Sequence, residues 1–521
     1  MPGLPTTLMA RADDQAPLAD LLTAGGDSRL RVDPASGLNA YGCSPTPRPW
    51  AITFASTTAT SISDYAFQAA EACRQRVRAA PGDPTVAWQH ESEAIKRAIL
   101  EHYGLAGADV AVVLTPSGTD GELCALAVHR IGRAATPTTN LLIAPEETGS
   151  GVGLAAGGRH FAEITAHGIP VAKGAPIDGL ADGVTVASVA IRARDGAVRP
   201  VADVDADVER LAAHAVGAGR RVLLHILDLS KTGLLAPSAA CVAAVRRRHG
   251  AAIDVLVDAC QARLSGASVR AYLAAGCMVL ITGSKFFTGP PFAGALLLPP
   301  AFAARLSGGV RLPAGLAAYA ARVEFPTARA GDLPIAVNHG VVLRWVAALA
   351  EMRAFAAVPP ALCRHVLQTF GEQVGAAIAR NRDLVLHPVP APTRADDDDE
   401  WDALPTVFSF SVRAPDRGLL DLAALRRLYR GLNQDLSAAL PHRALAARCC
   451  HIGQPVALGS ADGIGALRLA AGARLVSGVF ADPALGPDPA ARLEREIADA
   501  CLALDKISLM LRHAARLDAT L

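Results

Sequence analysis

Lysine is scarce in this chain. Five of the 50 basic residues are lysine and all the others are arginine, so each lysine carries more information than usual. An excess of one charge sign is missing too, because 49 acidic residues leave a net charge of +1. That balance excludes the strongly basic surface that nucleic acid or an anionic membrane would need. The ten cysteines form no C-x-x-C pair and no disulfide-framework spacing. They read as mostly buried free thiols in a reducing, cytoplasmic setting. No uninterrupted apolar run approaches the ~20 residues needed to span a bilayer. The opening stretch MPGLPTTLMARADDQ lacks the apolar core of a signal peptide. No internal repeat is found, and no metal site is expected.

What is present is enough apolar material for a large core: 51% of the 521 residues are hydrophobic. A chain of this length divides into two or three domains. The expected division is an N-terminal arm over 1–50, a large α/β domain over 51–330, a connecting helix within 331–360 and a smaller α+β domain over 361–521. Within the arm a short helix is expected around Pro17–Ala24. Residues 46–62 read as an extended lead-in, followed by helices over 64–78 and 91–103. Apolar runs at 108–114, 140–145, 183–191, 221–229 and 253–259 then alternate with helical stretches at 117–130, 204–218, 238–249 and 267–275. MVLITGS and GALLL complete the set. Short apolar runs alternating with helices predict a mostly parallel sheet covered on both faces. Beyond it, helices are expected over 333–356, 361–382, 422–440 and 489–517, and strands over 407–412 and 466–472. The acidic run DDDDE ending at Glu400 reads as a solvated loop.

The chemistry concentrates in ITGSKFFTGPPFAGALLL, Ile281 to Leu298. Its lysine, Lys285, follows one apolar run and precedes a Gly/Pro-rich loop. Asp258 closes another apolar run, IDVLVDACQ, 27 residues upstream. Open α/β sheets bind ligands outside the carboxyl ends of their strands, so the two ends offer a carboxylate and an amine to one place. A desolvated lysine suits Schiff-base chemistry. With an acid facing a pyridinium nitrogen, it is what a protein supplies to pyridoxal 5'-phosphate (PLP). Ser117, Gly118 and Thr119 stand where a strand gives way to a helix, a ready anion site; simple N-capping by Ser117 or Thr119 explains them equally well. Ser230 either touches a ring hydroxyl or caps its own turn. Lys231 is the rival of Lys285.

These segments resemble fold-type I PLP enzymes, and among them the class V aminotransferase group that includes cysteine desulfurases. The likeness spans roughly residues 50–480. DACQ (258–261) matches that group's D-A-x-Q, and SKFFTGPPFAGALLL (284–298) its H-K-x-x-G-P-x-G-x-G. SGTDG (117–121), SKTG (230–233) and RAGDL (329–333) are weaker matches. The resemblance implies an aspartate aminotransferase-like large domain, a PLP cofactor, a small amino substrate and a homodimer, for which the apolar connector around Trp345 offers a face. It implies Lys285 as the Schiff-base lysine, Asp258 on the ring nitrogen, Gln261 near the ring oxygen, and Gly118, Thr119 and Ser284 on phosphate. Glu147 and Thr148 fall where relatives stack a histidine on the ring, so another segment covers that face or it stays open. Asp332 replaces a threonine that reaches a partner's phosphate in relatives.

ARCCHIGQPVAL (446–457) resembles a desulfurase loop, but the sulfur-accepting cysteine falls on Ile452. Cys449 and Cys450 stand nearby as alternatives or bystanders. His451 is a candidate proton carrier. Arg468 matches the arginine that holds a substrate carboxylate, a role its planar fork fits. The expected activity is aminotransferase- or lyase-type chemistry on an α-amino acid or related amine in specialised metabolism. The alternatives are a cysteine desulfurase or C–S lyase using Cys449 or Cys450, and a non-catalytic binding protein.

Overall fold

The computed structural model describes residues 16–133, 136–307, 311–326, 333–394, 400–414, 418–459 and 464–517. Strand β1 (Ile52–Phe54) follows the arm. Then come β2 (Ala111–Thr115), β3 (Thr138–Ile143), β4 (Val184–Val189), β5 (Arg221–Leu227), β6 (Ile253–Ala259), β7 (Met278–Thr282) and β8 (Gly294–Leu298). These seven make one sheet in the order β2-β8-β7-β6-β5-β3-β4. It is parallel except for β8, which runs antiparallel to both β2 and β7. Its central strands are buried end to end, as a sheet covered on both faces requires.

Side chains alternate between the faces. On β6, Val255 and Val257 enter one apolar cluster, while Leu256 enters the other, beneath the helix Gly118–Arg130. That helix lies close against the strands because two of its first residues are glycine. A Cβ on Gly121 would sit 2.3 Å from Leu280 Cδ1, and one on Gly118 would sit 2.4 Å from Cys260 Sγ.

The smaller sheet contains β9 (Leu384–His387), β10 (Val407–Val412), β11 (Cys450–Ala457) and β12 (Gly465–Ala470), in the order β1-β11-β12-β10-β9. Its edge strand β1 comes from the lead-in segment, so residues assigned to the large domain help to build the small one. Arg263 joins the two parts. Its guanidinium donates to Ala471 O at 2.6 Å, Ser56 Oγ at 2.7 Å and Thr406 Oγ1 at 2.9 Å.

Several elements differ from expectation. The second helix begins at Pro84, because Asp83 caps it and proline suits the first helical turn. The helix from Leu422 stops at Leu432 rather than 440. ARCCHIGQPVAL, compared with a loop, is mostly strand β11. It pairs parallel with β1 and antiparallel with β12, and its register shifts between Gly453 and Val456, around Pro455. Proline is tolerated in a strand at such an irregularity.

The connecting helix, His339–Ala356, does not present Trp345 to a partner. Trp345 is buried and donates from Nε1 to Gly294 O at 2.9 Å. Its neighbour Arg344 donates to Phe292 O and to the carbonyls of Leu22, Ala24 and Gly25. The arm, with its short helix Leu18–Thr23, is thereby tied to the loop that carries Lys285. No helix among the described residues is long and apolar enough to cross a membrane. Asp332 and most of the DDDDE run lie outside the described residues.

Candidate active site

A cavity of about 530 Å³ opens at the carboxyl edge of the large sheet. Ten sequence-selected residues line it: Ser117, Gly118, Thr119, Glu147, Thr148, Asp258, Gln261, Ser284, Lys285 and Arg468. Lys231 lines it as well. Lys285 begins the loop between β7 and β8. That loop is held by hydrogen bonds from Gly283 N to Ala293 O (2.8 Å), Thr288 N to Lys285 O (2.8 Å) and Phe286 N to Gln261 O (3.2 Å). Thr288 and Phe292 adopt positive φ angles of 57° and 73° there, as does Leu229 at 64°. Such strain in bulky residues persists where the surrounding structure enforces it, and it collects at functional sites.

One corner of the cavity is the first turn of the helix Gly118–Arg130. Ser117 is its N-cap: its hydroxyl accepts from Asp120 N at 3.3 Å and donates to Asp120 Oδ2 at 2.5 Å. Ser117 is therefore engaged in capping, which leaves the backbone N–H groups of that turn, Thr119 and Ser284 as the donors toward the cavity. Burial raises the Asp120 carboxyl to about 7.

At the next strand end, Asp258 Oδ1 accepts from Cys260 N at 3.1 Å. Gln261 donates from Nε2 to Thr57 O at 3.2 Å, while its buried Oε1 has no partner. Thr57 Oγ1 and both carboxylate oxygens of Glu122 are likewise buried without partners. These orphaned groups in one cavity wall fit a polar ligand.

Glu147 is already satisfied. Arg192 Nε reaches its Oε1 at 2.5 Å, and Ser230 Oγ (2.6 Å) and Thr232 Oγ1 donate to its Oε2. Ser230 therefore stands behind the wall rather than in it. His451 is also set back, with Nε2 2.9 Å from Tyr41 O and 3.2 Å from Tyr429 Oη. Burial lowers its pKa to about 4. It supports two lining residues, Tyr41 and Tyr429, without lining the cavity itself. Neither Cys449 nor Cys450 lines it, and burial pushes the Cys450 thiol up to about 11. Among the described residues the only cysteine in the lining is Cys260.

Arg468 lines the cavity, but its fork is largely spent on the protein. Nε and Nη2 donate to Gln454 O, Nη2 also to Thr58 Oγ1 at 3.1 Å, and Nη1 to Lys231 O at 3.2 Å. Of five N–H donors this leaves one on Nη1. Beside it, the Lys231 amine is lowered to about 7, first by burial and then by the charges of Arg468 and Lys285.

Several lining residues carried no signal in the sequence. Arg29 and Tyr41 come from the arm, Arg426, Tyr429 and Arg430 from the helix Leu422–Leu432, and Gln454 from β11. Tyr41, Tyr429 and Phe292 supply the aromatic surface that Glu147 and Thr148 do not. Glu122 directly follows the SGTDG stretch, and nothing in the sequence assigned it a role.

No protein-family model matches the chain, and no curated protein does. Solved structures do. The cystine C-S lyase C-DES, in complex with its product cysteine persulfide, is similar at a TM-score of 0.51 and 17% identity, over 87% of this chain and 97% of that one. A lysine-to-alanine variant of C-DES, with glycine covalently linked to the PLP cofactor, gives 0.50 and 15%, over 87% and 96%. TDC of Oryza sativa with PLP gives 0.50 and 13%, over 90% and 85%. The fold expected from the sequence is thus the fold observed, shared with proteins that bear this cofactor.

Proposed function

We propose that this chain is a PLP-dependent enzyme acting on an amino-acid substrate by transferase- or lyase-type chemistry. The observation that carries the reading is the convergence of Lys285, Asp258 and the first turn of the helix Gly118–Arg130 on one cavity. The structural neighbours support it, since two of those described above hold PLP.

The residues fit the cofactor by chemical type. Gly118, Thr119 and Ser284 would hold its phosphate, Gln261 its ring oxygen, Asp258 its ring nitrogen and Lys285 its carbonyl carbon. Bound there, PLP supplies an electron sink for charge developing at the substrate Cα. The chain does the rest. Lys285 would serve as the base that takes the proton from the substrate Cα and as the acid that returns it. Lys231 and the remaining N–H of Arg468 hold the substrate carboxylate, and Tyr41, Tyr429 and Phe292 limit water. A route through Cys449 or Cys450 receives no support from the cavity lining. A homodimer and a cytoplasmic location remain part of the proposal.

The test is the visible spectrum of the purified protein with added PLP, followed by a scan of amino acids. A band that individual amino acids shift defines the substrate class. No band at any PLP concentration would leave a non-catalytic binding role.

A further inference from the structure

Glu122 has no role in the reading above, yet it is among the most exceptional side chains in the cavity wall. It is 1% exposed, and neither carboxylate oxygen has a hydrogen-bond partner. Leaving a buried polar group unsatisfied is costly, more so for a charge, so such a group points to a missing partner. His225 stands close by, with Nε2 3.7 Å from Glu122 Oε2 and itself without a hydrogen-bond partner.

The sheet places His225 on the same face as Asp258. Asp258 on β6 is in register with Leu227 on β5. His225 lies two residues before Leu227, so it projects from the same face. That face is the one covered by the helix Gly118–Arg130, and Gly118 and Gly121 bring its second turn down onto the strands. Cys260, beyond the end of β6, and Lys285, beyond the end of β7, are titratable groups on the same side of the cavity. Burial and then the charge of Asp258 push the Glu122 carboxyl well above its ordinary range. Burial alone brings His225 down to about 3, which leaves the imidazole neutral.

We propose that the cofactor's ring nitrogen is served by two acids, Asp258 and, in the same cavity wall, Glu122 in its neutral form with His225 beside it. This rests on the PLP reading. Two buried carboxyls in one low-dielectric wall do not both ionise readily. With Glu122 neutral the two acids carry one negative charge, which matches one pyridinium. When the ring nitrogen takes a proton from solvent, the two acids provide the counter-charge. When it arrives neutral, the proton on Glu122 can move to it, and the pyridinium charge then offsets the second carboxylate.

The consequence is redundancy. In a one-acid site, Asp258→Asn removes the only counter-charge. In a two-acid site, Glu122 remains. The experiment binds ¹⁵N-labelled PLP to full-length protein and reads ring-nitrogen protonation by chemical shift, together with the cofactor Kd. Asp258→Asn is expected to keep a protonated ring nitrogen and a Kd within about tenfold of the parent. Asp258→Asn with Glu122→Gln is expected to lose the proton and weaken Kd at least about tenfold further.

Should the double variant fail to fold, calorimetry of PLP binding in buffers of different ionisation enthalpy compares the parent with Glu122→Gln alone. A difference in proton uptake or release on binding, approaching about one proton, supports the pair. Loss of ring protonation in Asp258→Asn alone, with identical proton counts in the parent and Glu122→Gln, would overturn it. A parent protein that binds no PLP would instead sink the underlying reading.

Discussion

The two ends of the cavity are built on different principles. At the proposed cofactor end the groups stand at strand ends of one sheet: Thr119 after β2, Asp258 near the end of β6, Ser284 and Lys285 after β7. The backbone register fixes their spacing, and beside Lys285 the donors are neutral hydroxyls and helix N–H groups. At the substrate end the groups arrive from the arm, from the turn after β5, from the helix Leu422–Leu432 and from the small sheet. There cations dominate: Arg29, Lys231, Arg426, Arg430 and Arg468. On the proposed function, the sheet would hold the invariable part of the ligand, while separately folded segments would shape a positive pocket for the variable part. The contrast predicts that damage at the substrate end spreads between distant segments.

Arg468 is where that effect is largest. Arg468→Met would remove the donors to Gln454 O, Lys231 O and Thr58 Oγ1 together, joining β11, the turn after β5 and the segment after β1. A loss of about 2–4 kcal/mol in urea unfolding is expected. Arg468→Lys should not restore it, because a point charge cannot replace the fork. An unchanged unfolding midpoint would mean that Arg468 is free for substrate and that the contrast is overdrawn.

The pH dependence of Lys231 comes next. Its pKa is lowered from 10.5 to about 7 in the fold, so between those values the unfolded chain binds more protons than the folded one. Stability contributed by this site therefore rises as pH climbs from about 7 toward 10.5. The same rise should be absent in Lys231→Met. In function, carboxylate binding should weaken as pH passes above about 7 in the parent, and lose that inflection in the variant. Identical pH profiles would remove Lys231 from the substrate end.

The contrast between the two ends also explains what could be read from one sequence. β6, β8 and β10 fall where the apolar runs end, because burial on both faces or strict alternation leaves a local pattern. Asp258 and Lys285 were legible for the same reason. The substrate end was not. Nothing local marks Tyr41 or Arg426 as cavity residues, since their partners lie hundreds of positions away. Of the two readings of Ser230, the turn cap is the one the structure shows: its hydroxyl accepts from Thr232 N and Leu234 N and donates to Glu147, a contact across 83 residues that the sequence could not display. His451 sits behind Tyr41 and Tyr429 for a similar reason, and β11 was obscured by Pro455.

The smallest expected effect belongs to the rim. Arg426 and Arg430 are exposed, one helical turn apart, on the helix Leu422–Leu432. Replacing both by Gln should leave Tm unchanged. It should slow association of an anionic substrate several-fold at low salt, with the difference vanishing at high salt. Equal on-rates for the parent and the variant at low salt would confine the positive pocket to Lys231 and Arg468.

The central claim is that Lys285 is the residue that holds the cofactor. The most direct measurement is borohydride reduction of the PLP-loaded protein, followed by peptide mapping by mass spectrometry. The account predicts a reduced cofactor adduct on Lys285 alone, absent in Lys285→Ala and retained in Lys231→Met. An adduct on Lys231, or none in the parent protein, would contradict it.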